Sequence, residues 1–133
     1  MVRLPGSYDP KAGGGLTAMR VADGGKVWFA PPSVCDNKKG CSPAQSSAVT
    51  LIPGVVFSGA LDGHLRAFSA EDGKVLWDFD TVRDFETVNG VPAKGGAIDG
   101  PGTVVANGWV LVNSGYARVG GMAGNILLAF GPE

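Results

Sequence analysis

Apolar residues in this chain come in short runs, each bounded by Gly, Pro, Asp or Asn, which is the pattern of short β-strands joined by tight turns. The runs predict strands over Leu16–Arg20, Lys26–Phe29, Ala48–Ile52, Val55–Gly59, Leu65–Ser69, Val75–Phe79, Thr103–Ala106, Trp109–Asn113 and Ile126–Phe130. No segment sustains the 3.6-residue apolar period of an amphipathic helix. Pro53-Gly54, Asp62-Gly63 and Asp72-Gly73 each punctuate two runs. Asn107-Gly108 is the strongest hairpin signal, because Asn and Gly both tolerate the positive φ of a type I′ turn. The predicted fold class is all-β.

The strands also repeat. Ala18-Met19-Arg20-Val21-Ala22-Asp23-Gly24-Gly25-Lys26-Val27-Trp28 carries a Gly-rich turn between an Ala and a Trp, and Ala67-Phe68-Ser69-Ala70-Glu71-Asp72-Gly73-Lys74-Val75-Leu76-Trp77 repeats it forty-nine positions on. A third approach, Gly124-Asn125-Ile126-Leu127-Leu128-Ala129-Phe130, reaches no Trp. A period of about 40–50 residues with short strands marks a propeller-type array. The expected architecture is a partial β-propeller of two to three four-stranded antiparallel blades within a single domain, residues 1–133. Residues 16–29 end one blade, 48–79 make a complete blade, and 103–130 supply three strands of the last, which lacks its outer strand. A small Ala lets blades approach, and a Trp fills the gap between them with its N–H directed at neighbouring backbone. Trp28 and Trp77 therefore read as structural. Trp109, without a repeat partner, reads as a packing residue. Unpaired sheet edges predict self-association.

Composition narrows the class. Gly contributes 22 of 133 residues, with 44% hydrophobic residues and a net charge of −1. This excludes a disordered chain, and the glycines have no collagen period. Eleven basic residues face twelve acidic ones, with Lys38-Lys39 the only basic cluster. No basic stripe for nucleic acid is present, and no apolar run approaches a membrane span. Met1–Pro5 lacks the apolar core of a signal peptide. Cys35 and Cys41 flank a small Gly-containing loop. A local disulfide, implying an oxidising compartment, is the favoured reading, with free thiols and a metal site as alternatives.

Two long connections, 30–47 and 81–102, each precede an innermost strand, so both are expected on one face near the propeller axis, where long loops are usually functional. His64 reads as a turn or surface residue. Arg83 and Arg118 flank loops and read as solubilising or anion-binding. Asp84 and Glu86, two apart, are a candidate catalytic carboxylate pair, the alternative being a solvated loop.

The Ala…Gly-Lys…Trp pattern at 67–77 resembles the tryptophan-docking repeat of quinoprotein dehydrogenase propellers. The first copy departs from it with Gly25 at the Lys position, and Arg20 and Ser69 stand where an Asp is common. Gly40–Thr50, Ile52–Gly59, Asp62–Ala67, Gly73–Thr81, Thr87–Gly90, Lys94–Gly96, Val112–Tyr116 and Gly124–Phe130 together resemble the C-terminal part of the polyvinyl alcohol dehydrogenases. The resemblance implies a periplasmic enzyme that uses pyrroloquinoline quinone (PQQ) to oxidise secondary alcohols to ketones and passes electrons to cytochrome c. It also implies a Ca²⁺ ion and a catalytic base, for which no matched motif of this chain supplies residues. The 133 residues would then be an inactive fragment of a longer propeller. Gln45 stands where related enzymes carry a quinone-contacting Trp, so it is a cofactor-binding candidate, the alternative being that it satisfies its own loop. Lys94 beside Gly95-Gly96 could pair with an anionic cofactor. Asn89 and Asp99 complete the cofactor-binding candidates, each also readable as a turn residue. The rival class is a non-catalytic propeller module serving as a periplasmic scaffold or interaction domain.

Overall fold

The punctuating dipeptides turn the chain as their chemistry requires. Asn107 and Gly108 have φ of 50° and 80°, the paired left-handed values of a type I′ hairpin. Gly54, after Pro53, has φ of 82°. In the computed structural model, which describes residues 14–116 and 120–132, these turns join strands that are antiparallel throughout. Strands β1 (Leu16–Met19) and β2 (Lys26–Ala30) form a two-stranded sheet. β3 (Thr50–Ile52), β4 (Val55–Gly59), β5 (His64–Ser69) and β6 (Val75–Asp80) form a four-stranded meander. β7 (Asp84–Phe85) and β8 (Ala93–Lys94) form a short ribbon, and β9 (Val104–Ala106), β10 (Trp109–Ser114) and β11 (Ile126–Phe130) a three-stranded meander. The all-β class is therefore observed.

Where strand limits differ from expectation, backbone hydrogen bonds explain the difference. Arg20 leaves β1 because its N–H and C=O close the turn with Gly25 and Gly24. β3 begins at Thr50 rather than Ala48 because the Ala48 N–H is drawn to Gly100 O, at 3.1 Å. The β7–β8 ribbon inside 81–102 was not expected, since two residues per strand are too few to show a period.

The two complete repeats superimpose bond for bond. Ala18 pairs with Trp28 and Ala67 with Trp77, and in each case the register slips one residue after the Ala. The turns match too: Arg20 N–H bonds Gly25 O as Ser69 N–H bonds Lys74 O, and Gly24 N–H bonds Arg20 O as Gly73 N–H bonds Ser69 O. Ser69 Oγ additionally accepts the Glu71 and Asp72 N–H groups. Trp28 docks the two-stranded sheet on the next one. Its Nε1–H donates to Ala70 O at 2.9 Å, and its ring lies so close to Gly73 that a Cβ there would meet it at 2.6 Å. Trp77 stacks on Phe79 and meets Phe130 edge-on, centroids 5.1 Å apart, which joins β6 to β11. Trp109 lies over Gly131, which leaves room for its ring.

The core sits between the four- and three-stranded sheets. Leu65 of β5, Ile98 of the 81–102 segment and Val112 of β10 are fully buried, flanked by Val110, Leu128 and Phe130. Ile98 enters because Gly59 makes space for it: a Cβ on Gly59 would stand 2.3 Å from Ile98 Cγ2. Thr81 anchors the same segment. Its hydroxyl lies 2.6 Å from Gly63 O and 2.7 Å from Ser114 Oγ, which in turn accepts the Gly96 N–H. The 95–98 part of this segment is therefore packed into the molecule; Gly95, Gly96, Ala97 and Ile98 are all buried.

Candidate functional site

The topology brings one end of the four-stranded sheet together with both long connections. β4 ends, β5 begins and β6 ends at this edge, which is also where the chain arrives at β3. The approaches to β3 and β9 run side by side. Ala48 N–H donates to Gly100 O, Gly102 presses on the Ala48 carbonyl, and Thr50 Oγ1 donates to Thr103 O. Four buried polar side-chain atoms have no protein partner among the described residues: Gln45 Oε1, Ser47 Oγ, Thr103 Oγ1 and, on neighbouring β4, Ser58 Oγ. Buried polar atoms are normally paired. A group of orphans at these approaches is a place where a polar ligand or ordered water completes the bonding.

Sequence reasoning missed a second cluster beside this edge. Asp62, buried in the β4–β5 turn, accepts bonds from the Ser33 hydroxyl, the His64 N–H at 3.0 Å and Arg66 Nη2 at 2.8 Å. Arg66 Nε also reaches Asp78 Oδ2 at 3.0 Å, and Asp78 Oδ1 lies 2.6 Å from His64 Nδ1. Burial pushes the Asp62 carboxyl up. Arg66, Ser33 and the His64 N–H outweigh it and hold the group below the usual carboxylate range. Burial likewise works against the Arg66 charge, and Asp62 and Asp78 overcome it. His64 follows the turn as the first residue of β5, half-buried and bonded to Asp78. A signal for this cluster was present. Once Ala67 stands opposite Trp77, antiparallel register places Arg66 opposite Asp78 and His64 opposite Asp80.

The remaining predicted residues lie on separate elements. Asn89 lies at the exposed tip of the β7–β8 ribbon, its Oδ1 accepting bonds from the Thr87 hydroxyl and Val91 N–H. Lys94 is tied through its backbone to Asn125, at 2.9 and 2.8 Å, with its side chain in solvent. Asp99 Oδ1 accepts the Gly100 N–H, on the segment that touches Ala48. Gln45 and Asp99 therefore lie on adjoining segments, while Asn89 belongs to the ribbon. Asp84 and Glu86 are exposed. The Arg83 guanidinium stacks on Phe79 and Phe85, at 4.6 and 5.0 Å. Arg118 lies outside the described residues. Cys35 and Cys41 form a disulfide, Cα atoms 5.8 Å apart, which suits an oxidising compartment. Among the described residues no three His, Cys, Asp or Glu side chains group to hold a metal ion, and no helix is long and apolar enough to cross a membrane.

No family model matches the chain. Individual relatives do. The chain is 31% identical over 108 residues, 77% of its length, to a quinohemoprotein alcohol dehydrogenase of Pseudomonas putida, of which it covers 14%. It belongs to the quinoprotein alcohol dehydrogenase family. Within that family it is similar to the polyvinylalcohol dehydrogenase of a Pseudomonas species, 48% identical over 128 residues, and to that of Sphingopyxis sp. (strain 113P3), 41% identical over 130 residues. Each match takes in 87% of this chain and 20% of the relative, so the chain spans about one fifth of the length of these proteins.

Proposed function

We propose that this chain forms blades from the C-terminal part of the propeller of a periplasmic, PQQ-dependent dehydrogenase that oxidises secondary alcohols, polyvinyl alcohol among them, to ketones, with cytochrome c as electron acceptor. The observation that carries the reading is the pairing of the β3 and β9 approaches around partnerless buried polar atoms, in a chain related to polyvinylalcohol dehydrogenases. The docking of Trp28 on Ala70 and Gly73 supports the blade assignment of 16–29, 48–79 and 103–130.

On this reading the residues present suit the cofactor. Gln45 and Ser47 offer it hydrogen bonds, and Asp99 borders them. Lys94, whose side chain is free in solvent, is the cation available to its acidic groups, and Asn89 offers its side-chain amide from the tip of the ribbon. PQQ, when bound, supplies the oxidising power by taking up two electrons from the alcohol. The role of this chain is to position it and exclude water; the Ca²⁺ ligands and the base belong to other parts of the ring. The 133 residues alone should show no dehydrogenase activity. The test is reconstitution of the full-length protein with PQQ and Ca²⁺, followed by dye-linked oxidation of a secondary alcohol. Dye reduction that requires both additions is expected. A full-length protein that binds no PQQ would overturn the reading in favour of a non-catalytic periplasmic scaffold.

A further inference from the structure

We propose that the segment from Ser33 to Ala44 is a strap, pinned at both ends to the β4–β5 turn and stiffened by the Cys35–Cys41 disulfide, that sets where Gln45 and Ser47 stand. The first part rests on geometry alone; the link to the cofactor rests on the function proposed above. The segment has no regular secondary structure, and an unanchored loop of this length would sample many positions. Its anchors fall on neighbouring residues of one turn. The Ser33 hydroxyl donates to the Asp62 carboxylate, and the Ala44 carbonyl accepts the Leu61 N–H at 3.0 Å. Asp62 is a firm anchor because His64 N–H and Arg66 hold it independently of the strap.

The disulfide couples the two pins. It removes Asp36–Gly40 from the covalent path, which then runs through Val34, Cys35, Cys41, Ser42 and Pro43. Pro43 fixes its own φ, and Ser42 Oγ accepts the Ala44 N–H at 3.3 Å. A short, stiff path means that releasing Ser33 raises the freedom of Ala44. Without the cross-link the slack loop absorbs that release. Beyond Ala44 the chain passes directly through Gln45 and Ser47 to Ala48, which bonds Gly100. The strap forms one side of a cleft lined by Ser33, Cys35, Lys38, Asp62, His64 and Arg66.

Amide hydrogen exchange of the chain without cofactor tests this, with Leu61 and Ala48 as reporters and Ile98, bonded to Ala60 O, as control. Ser33→Ala leaves Asp62 its other partners and should fold. It should speed Leu61 and Ala48 exchange by about five- to tenfold, the worth of one hydrogen bond, with Ile98 unchanged and Ser33→Thr behaving as the original. In a Cys35→Ser/Cys41→Ser background the same substitution should leave Ala48 unmoved. Unchanged reporters in Ser33→Ala, or an equal response with and without the disulfide, would overturn the strap. A PQQ titration of the full-length protein separates the second claim: Ser33→Ala should weaken binding by a similar factor. A strap that responds in exchange while PQQ affinity stays constant would remove the 44–48 approach from the cofactor site.

Discussion

At the scale of single residues, the position of greatest consequence is Asp62. Three donors converge on it, and one is the guanidinium of a residue that also serves Asp78. Its lowered carboxyl pKa has a stability consequence of definite sign. A carboxylate held below its unfolded value, about 3.9, stabilises the fold in full above that value. The contribution is lost as pH falls through the folded value. We expect acid unfolding to steepen below about pH 4, and Asp62→Asn to be flatter across that window when thermal melts are compared at a series of pH values. An Asp62→Asn profile parallel to that of the original chain would show that other carboxylates dominate. Asp62 was legible in the sequence only as half of a turn dipeptide. That role is real, since Gly63 takes φ of 85°, but a turn signal says nothing about what the side chain meets. Ser33 lies far away in sequence, and no local pattern links the two.

At the scale of elements, the repeat was the most readable feature, because it expresses two local rules together: a Gly turn, and a small residue opposite a large one. Both Ala–Trp pairs form in the same register. Trp28 shows what the large residue does, since it bonds backbone beyond its own sheet. Trp28→Phe keeps most of the ring and leaves Ala70 O without its donor. We expect a loss of about 1–2 kcal/mol, read as a lower urea midpoint with an unchanged slope. Less readable were the connections. Residues 81–102 look like a polar excursion, yet Ala97 and Ile98 are among the most buried residues and the β7–β8 ribbon lies within the segment. One isoleucine among glycines has no periodicity, so only the space left by Gly59 explains its place in the core.

At the scale of the whole molecule, four sheets of two to four strands leave strand edges without partners among the described residues. β11 ends its sheet and carries Leu127, which is 62% exposed. Bare apolar edges recruit strands from other chains. Self-association is therefore expected in solution, and Leu127→Lys should reduce it by placing a charge on the edge. Sedimentation of both proteins at several concentrations gives the answer: an unchanged mass distribution in the variant would direct attention to another edge.

The strands outside the β7–β8 ribbon, the turn type and the Ala–Trp register were already contained in the order of residues, since each depends on φ preferences and side-chain size over a few neighbouring positions. The kinship with quinoprotein alcohol dehydrogenases was legible there too, through runs such as Gly73–Thr81 and Gly124–Phe130. The meeting of the β3 and β9 approaches, the partnerless Gln45 and Ser47 atoms and the network from Ser33 to His64 depended on the packed fold. Each joins residues distant in the chain through close backbone approach and buried charge, and those interactions exist only once the sheets have come together.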